Sequence, residues 1–197
     1  MLYWILRPIV LSILRLFFRF KVEGIENLPK RNNFIIVSNH LSFLDPLVIC
    51  ASMPQRIYCV ASRYLFRISW LRWIFNKIGV LSTGSSSRKA VEYLTQNKIV
   101  AIFPEGGISR DGNLREFKRG AALLAYKTGR PIVPCVISGT YEALPLKAKF
   151  PRLRPITVKI NGPVCLLKEL EEIIDDVKLQ EGILRIRNIM QGMLDAG

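Results

Sequence analysis

"IVAIFPEGGISRDG", residues 99–112, decides the architecture. Its first part is apolar and β-branched without polar alternation, so the strand it predicts is covered on both faces. The run then breaks into Pro, Gly and charged residues, which make a turn rather than more strand. "FIIVSNHLSFLD", residues 34–45, repeats the pattern: an apolar strand that ends on a polar cluster. Similar runs predict strands over 20–26, 56–61, 78–82, 131–137 and 156–162. Helical patterns fall between them at 44–52, 63–77, 86–97 and 117–129, with one or two more in 168–193. "SSSRKAVEYLTQ" has the Ser-rich start of a capped helix, and Gly129 stands as a C-cap after "AALLAYKT". Strands alternating with helices give an α/β chain: a central, mostly parallel or mixed sheet flanked by helices. Ligands of such sheets lie beyond the carboxyl ends of the strands, where both polar clusters fall.

The totals agree with one folded unit. Of 197 residues, 50% are hydrophobic and 22% charged, a composition that argues against disorder. Residues 21–197 read as the folded domain and residues 1–20 as a separate helical segment. The chain carries 29 Lys and Arg against 15 Asp and Glu, a net charge of +14. Such an excess favours polyanions: nucleic acid, an anionic membrane or an acidic protein. No nucleic-acid module is recognisable and the apolar content is high for one, so nucleic acid is set aside. Cys50, Cys59, Cys135 and Cys165 form no CxxC pair, and a lone histidine excludes a Cys2His2 zinc site; no metal is expected. Cys59 and Cys135 lie in apolar runs, as buried thiols of a reducing compartment do. No secretory cleavage pattern follows the first apolar segment.

Two stretches resemble membrane contacts. "MLYWILRPIVLSILRLFFRF", residues 1–20, is interrupted by Arg7, Arg15 and Arg19, which with Ser12 share one arc of a helical wheel, Trp4 and Leu11 falling inside it. An arginine near the middle of a spanning helix costs about 2.5–3.5 kcal/mol, so an amphipathic helix lying in the interface fits better than a span. A helix packed in an ordinary core is the other alternative. Pro8 is expected to kink or divide this helix. The second stretch, "RYLFRISWLRWIFNKIGV" at 63–80, interleaves Arg63, Arg67, Arg72 and Lys77 with Phe66, Trp70, Trp73 and Phe75, which suits the headgroup level.

His40 is the only histidine, and Asp45 follows five positions later. A neutral imidazole accepts a proton readily near neutral pH. A carboxylate bonded to its other ring nitrogen would fix the tautomer, and a turn over 40–44 brings Asp45 back to it. Pro46 favours a helix that begins near it, and Asn39 and Ser42 are candidates to bond the turn backbone. The alternative is that Asp45 only caps that helix. No GxSxG elbow supplies a nucleophile, so His40 more plausibly deprotonates a substrate hydroxyl directly.

"NHLSFLD" (39–45), "FPEGGISRDG" (103–112), "FKRGAALLA" (117–125) and "PIVPCVISGT" (131–140) together resemble the glycerolipid acyltransferases, the family that includes the 1-acylglycerol-3-phosphate acyltransferases. The likeness runs from about residue 20 to residue 163 in the family's order. It implies transfer of an acyl chain from acyl-CoA or acyl-acyl carrier protein to a glycerolipid hydroxyl, making phosphatidate from lysophosphatidate in phospholipid synthesis. His40 would then be the general base and Asp45 its orienting partner, with no acyl-enzyme, metal or cofactor. Glu105 is expected to meet the acceptor's glycerol part. Gly106 and Gly107 would let backbone N–H groups approach an oxyanion or phosphate, and Ser109 completes the motif. An enzyme associated with a membrane is expected, peripherally or monotopically at the cytoplasmic face, with a lysophospholipid acceptor; the surplus positive charge suits anionic lipid, the phosphates of CoA or the acidic acyl carrier protein.

Two departures bear on the acceptor. Ile108 and Gly84 stand where the family usually has arginines thought to hold the acceptor phosphate, and isoleucine cannot do so. Arg88, Arg110, Lys118 and Arg119 are the nearby substitutes. Otherwise the acceptor is another lysophospholipid or polar-lipid hydroxyl. A non-catalytic binding protein for lipid or acyl carrier protein is the reading outside catalysis.

Overall fold

The computed structural model describes residues 2–61, 67, 72–73, 80–82, 86–166 and 175–196. The helix expected over 63–77 thus lies outside the described residues, apart from 67, 72 and 73, and so does Gly84. In chain order the elements are α1 (Leu2–Phe18), β1 (Lys21–Glu23), a 3-10 turn (Ile25–Asn27), β2 (Ile35–Ser38), α2 (Asp45–Ser52), β3 (Ile57–Ala61), β4 (Leu81–Ser82), α3 (Ser86–Thr95), β5 (Ile99–Ile102), α4 (Gly120–Thr128), β6 (Ile132–Ser138), α5 (Thr140–Ala143), β7 (Thr157–Ile160) and α6 (Asp176–Asp195). Each expected strand is present within a residue or three of its predicted limits.

The strands form one sheet in the order β1-β7-β6-β2-β5-β3-β4. β6, β2, β5, β3 and β4 run parallel to one another. β7 pairs antiparallel with β6 and parallel with β1, so the sheet is mixed. Both faces are covered, as the unalternating strands require. Ile36, Ala101, Val133 and Cys135 face Leu14 and Phe18 of α1 and Val48 and Ile49 of α2. The alternate residues Ile35, Val37, Val100 and Ile132 face Ala90 and Leu94 of α3, Ala121 and Ala125 of α4, and Ile183 and Ile186 of α6. Successive strand residues point to opposite faces, so one apolar run feeds two cores.

α1 bears on two expectations. Pro8 does not divide it: the helix is a single element from Leu2 to Phe18. The missing N–H leaves only the Trp4 carbonyl without a helical donor, near the helix start on a residue that is 51% exposed, where water can serve it. Of the arginines, Arg15 and Arg19 are exposed, as is Ser12. Arg7 turns inward, its guanidinium donating to the Ala51 carbonyl at 3.4 Å, beside the buried Tyr3. Ile5, Ile9, Ile13 and Leu16, spaced four, four and three apart on one side, are also exposed, as is Phe17. The uncovered side of α1 therefore carries large apolar side chains alongside Ser12 and Arg15. Among the described residues no helix is long and apolar enough to cross a membrane.

Candidate active site

β2 and β5 are parallel neighbours, so the polar clusters that follow them emerge side by side at one end of the sheet. The first begins with Asn39, whose side chain mimics a ladder partner. Its Nδ2 donates to the Ile137 carbonyl at 2.9 Å and its Oδ1 accepts the Ile137 N–H at 2.7 Å. Asn39 thus extends the join between β2 and β6 by one position and does not bond the turn as expected.

The chain then turns around one carboxylate oxygen. Asp45 Oδ2 accepts the N–H groups of Leu41 at 2.6 Å and Ser42 at 2.7 Å, and lies 2.9 Å from His40 Nδ1. Asp45 is wholly buried. It begins α2, but its side chain turns back into the preceding turn, and the Leu44 cap position has no side-chain capping bond. A plain capping role is therefore not what this carboxylate has. An ionised carboxylate only accepts, so the proton of the imidazole sits on Nδ1 and the lone pair on Nε2. Ser42 does bond the turn: its hydroxyl accepts the Leu44 N–H at 3.2 Å and donates to the Leu144 carbonyl at 2.8 Å. The ring of His40 stacks on Phe103, with centroids 4.5 Å apart, and its side chain keeps 17% of its surface exposed.

The second cluster grips the histidine's backbone from behind. Glu105 Oε1 accepts the His40 N–H at 2.8 Å, and the Ser109 N–H donates to the His40 carbonyl at 2.7 Å. Glu105 Oε2 accepts the Arg115 N–H at 3.4 Å. Glu105 is 3% exposed, and this burial pushes its carboxyl pKa up, against the two backbone donors. Both oxygens are turned to the protein's own backbone rather than outward. Ser109 is also turned inward, its hydroxyl 2.8 Å from Asp111 Oδ1 and from the Asn113 carbonyl. The bonds from Asn113 and Ser109 hold Asp111 at a pKa of about 2.

Of the expected cations, Lys118 is the one tied to the glycine loop. Gly106 has φ 69°, and a Cβ there would lie 2.5 Å from Lys118 Nζ, so the ammonium rests over this glycine. The guanidinium of Arg115 runs beside Gly107. Arg110 is exposed farther along the loop, where its carbonyl accepts the Tyr141 hydroxyl at 3.2 Å. Arg88 is exposed on α3, and Arg119 is paired with Asp176 of α6 at 2.6 Å. Ile108 is half-buried in the loop.

Sequence reasoning missed Phe103, Arg115 and the clamp by Glu105. A signal for two of them was present. β2 and β5 are parallel in the register Ile36 to Ala101. Extended along both chains, that register sets Ser38 beside Phe103 and His40 beside Glu105. Only the pairing of these two strands was lacking.

The family model described as Acyltransferase matches residues 19–138. The chain is 32% identical over 127 residues to the 1-acyl-sn-glycerol-3-phosphate acyltransferase of Borreliella burgdorferi, covering 60% of this chain and 51% of that protein. It is 36% identical over 145 residues to the human 1-acyl-sn-glycerol-3-phosphate acyltransferase alpha, covering 68% of this chain and 51% of that one. The chain spans about half the length of these relatives. Its fold is similar to the crystal structure of the 1-acyl-sn-glycerophosphate acyltransferase PlsC from Thermotoga maritima. That match has a TM-score of 0.72 at 27% identity and covers 95% of this chain and 80% of that one.

Proposed function

The chain belongs to the acyltransferase family, and from that premise we propose that it is a 1-acyl-sn-glycerol-3-phosphate acyltransferase. It takes an acyl chain from acyl-CoA or acyl-acyl carrier protein and places it on the free hydroxyl of lysophosphatidate, giving phosphatidate. The single observation that carries the reading is the 2.9 Å contact between His40 Nδ1 and Asp45 Oδ2, which leaves Nε2 of a partly exposed imidazole free to accept a proton.

In this scheme Nε2 removes the proton of the acceptor hydroxyl as its oxygen attacks the thioester carbonyl. Asp45 holds the ring and favours the imidazolium that forms. The tetrahedral intermediate collapses with loss of thiolate, which takes the proton back from Nε2. No acyl-enzyme forms and no metal or cofactor takes part. Stacking on Phe103 and the grip of Glu105 and Ser109 on the backbone limit the ways the ring can move, which keeps the base in its attack geometry.

Lys118 and Arg115, beside Gly106 and Gly107, are the cations best placed for the acceptor phosphate in the absence of arginine at 108. A second reading, that the acceptor is another lysophospholipid, is favoured by Ile108 and Gly84 at the usual arginine positions. The acyl chains stay in the bilayer throughout, since extraction costs about 0.8 kcal/mol per methylene. The uncovered side of α1, with Ile5, Ile9, Ile13 and Leu16, lies in the interface, and the chain works as a peripheral or monotopic protein at the cytoplasmic face. Phe43, within the turn that carries His40, is 55% exposed and adds an apolar side chain near the site.

The test is to offer labelled acyl-CoA and acyl-acyl carrier protein with a panel of lysolipids to the wild type and to His40→Ala. The expected result is phosphatidate from lysophosphatidate with the wild type only. Transfer to another lysolipid alone selects the second reading, and undiminished transfer by His40→Ala removes the mechanism.

A further inference from the structure

Residues 146–154, "LKAKFPRLR", carry four cations and no acid. They connect α5 to β7 without regular structure, and most of them are exposed. Phe150 is 81% exposed and Leu153 69%. Among the described residues, none of Lys147, Lys149, Arg152 and Arg154 has an ion pair. Basic side chains thus alternate with uncovered apolar ones, a pattern that gains nothing in water.

The segment is a fixed projection rather than a loose loop. The Ala148 N–H donates to Pro145 at 2.8 Å, Arg152 N–H to Ala143 at 2.7 Å, and Ile156 N–H to Phe18 at 2.9 Å. Gly139, at φ 87°, has no room for a Cβ against the Pro155 carbonyl, so the chain just after the segment packs closely on the start of α5. Its placement is specific. Leu144, just before it, accepts the Ser42 hydroxyl from the catalytic turn. Ile156, just after it, bonds the last residue of α1, next to the exposed Leu16 and Phe17. Arg152 and Arg154 also line an open cavity of about 410 Å³ with Tyr141, Glu142 and Pro145.

We propose that residues 146–154 are a second membrane contact, which docks on the phosphates of an anionic leaflet. Phe150 and Leu153 enter the headgroup layer, and the four cations lie around them against lipid phosphate. An anionic leaflet is preferred to an acidic protein because the apolar side chains project singly and line no groove, and because they continue the uncovered side of α1. With α1 on one side and this segment on the other, the turn that carries His40 faces the lipid. The inference deepens the interfacial reading of α1 and shares with it only the choice of lipid as partner.

The experiment is co-sedimentation of the full chain with vesicles of phosphatidylcholine, alone or mixed with phosphatidylglycerol. Lys147→Gln and Lys149→Gln are each expected to weaken binding to the mixed vesicles about fivefold, as for one basic residue near an anionic leaflet, with little change on phosphatidylcholine alone. Phe150→Ser with Leu153→Ser lowers binding to the mixed vesicles more strongly. Phe150→Trp reports insertion through a blue-shifted emission quenched by brominated lipid. Thermal unfolding checks that the variants fold, and transfer to a monomeric short-chain lysophosphatidate is expected to be unchanged in them. Mixed-vesicle binding equal to wild type in all the variants, or an indole emission indifferent to vesicles, overturns the inference. Normal vesicle binding with transfer lost only from acyl-acyl carrier protein overturns it in favour of an acidic protein partner. Vesicle binding needs no catalysis, so a chain that transfers no acyl group but loses lipid with these substitutions would sink the enzymatic reading and leave this one intact.

Discussion

Glu105 and His40 are joined through the backbone: the carboxylate of one accepts the main-chain N–H of the other at 2.8 Å, across two adjacent strand ends. The same carboxylate accepts the Arg115 N–H, so it ties the turn that carries His40 to the segment that follows the glycine loop. Both its oxygens meet backbone, so it holds the position of His40 without touching the ring.

Glu105→Ala removes both acceptors and leaves two backbone donors without a protein partner. A hydrogen bond to a charged group contributes about 1.5–3 kcal/mol, so a stability loss of that order and a fall in turnover are expected, measured by urea unfolding and by acyl transfer. The pH dependence has a definite sign. Burial raises the folded-state pKa of Glu105 above 4.5, so the folded chain holds this proton more tightly than the unfolded one. Stability from this group is present below its unfolded pKa and is lost as pH rises through the folded value. The stability of wild type relative to Glu105→Gln should therefore fall as pH rises from about 4 towards neutrality. A difference that grows over that range would contradict the assignment.

Asp45→Asn keeps the shape of the carboxylate and removes its charge. The amide oxygen can still accept the Leu41 and Ser42 N–H groups, but the imidazolium loses its counter-charge and the tautomer is no longer fixed. Transfer should fall by about 10²–10⁴-fold, the range of general-base catalysis, while far-UV circular dichroism is preserved. Single-turnover rates with saturating donor make the measurement.

Asn39→Ala tests the fold rather than the chemistry. It leaves the N–H and carbonyl of Ile137 unpaired in a buried strand. Each unsatisfied buried group costs about 1–3 kcal/mol, so a loss of several kcal/mol is expected in denaturant unfolding. A loss below about 1 kcal/mol would mean that the side chain does not extend the sheet.

Lys118→Gln should raise the KM for lysophosphatidate about tenfold or more with kcat little changed, since a charge-assisted bond to phosphate is worth about 1.5–3 kcal/mol. Ile108→Arg should lower that KM by supplying the planar fork that the loop lacks. Equal KM values in wild type and both variants would place the phosphate elsewhere.

Ile9→Ser with Ile13→Ser, on the uncovered side of α1, should weaken vesicle binding strongly without loss of thermal stability. Burying one such side chain is worth about 1.5–3 kcal/mol, and in water these two are already exposed. Flotation on phosphatidylcholine vesicles reads the first effect and a melting curve the second.

The elements and the pairing of His40 with Asp45 were legible along the chain. Unalternating runs such as 34–37 and 99–102 must be covered on both faces, because local periodicity encodes burial, and the polar residues that end them fall beyond the carboxyl ends of the strands. His40 and Asp45 meet through a turn of a few residues, so their pairing was readable along the chain. The tertiary structure alone decided which strands are neighbours. Only β2 beside β5 brings Glu105 to the backbone of His40 and Phe103 to its ring, and only β2 beside β6 gives Asn39 its partner. It also decided that Arg7 faces α2 and that Ile5, Ile9, Ile13 and Leu16 are left uncovered, since a helical wheel shows which residues share a side but not which side meets the core. Contacts between distant segments depend on how the whole core closes, and no local pattern carries that.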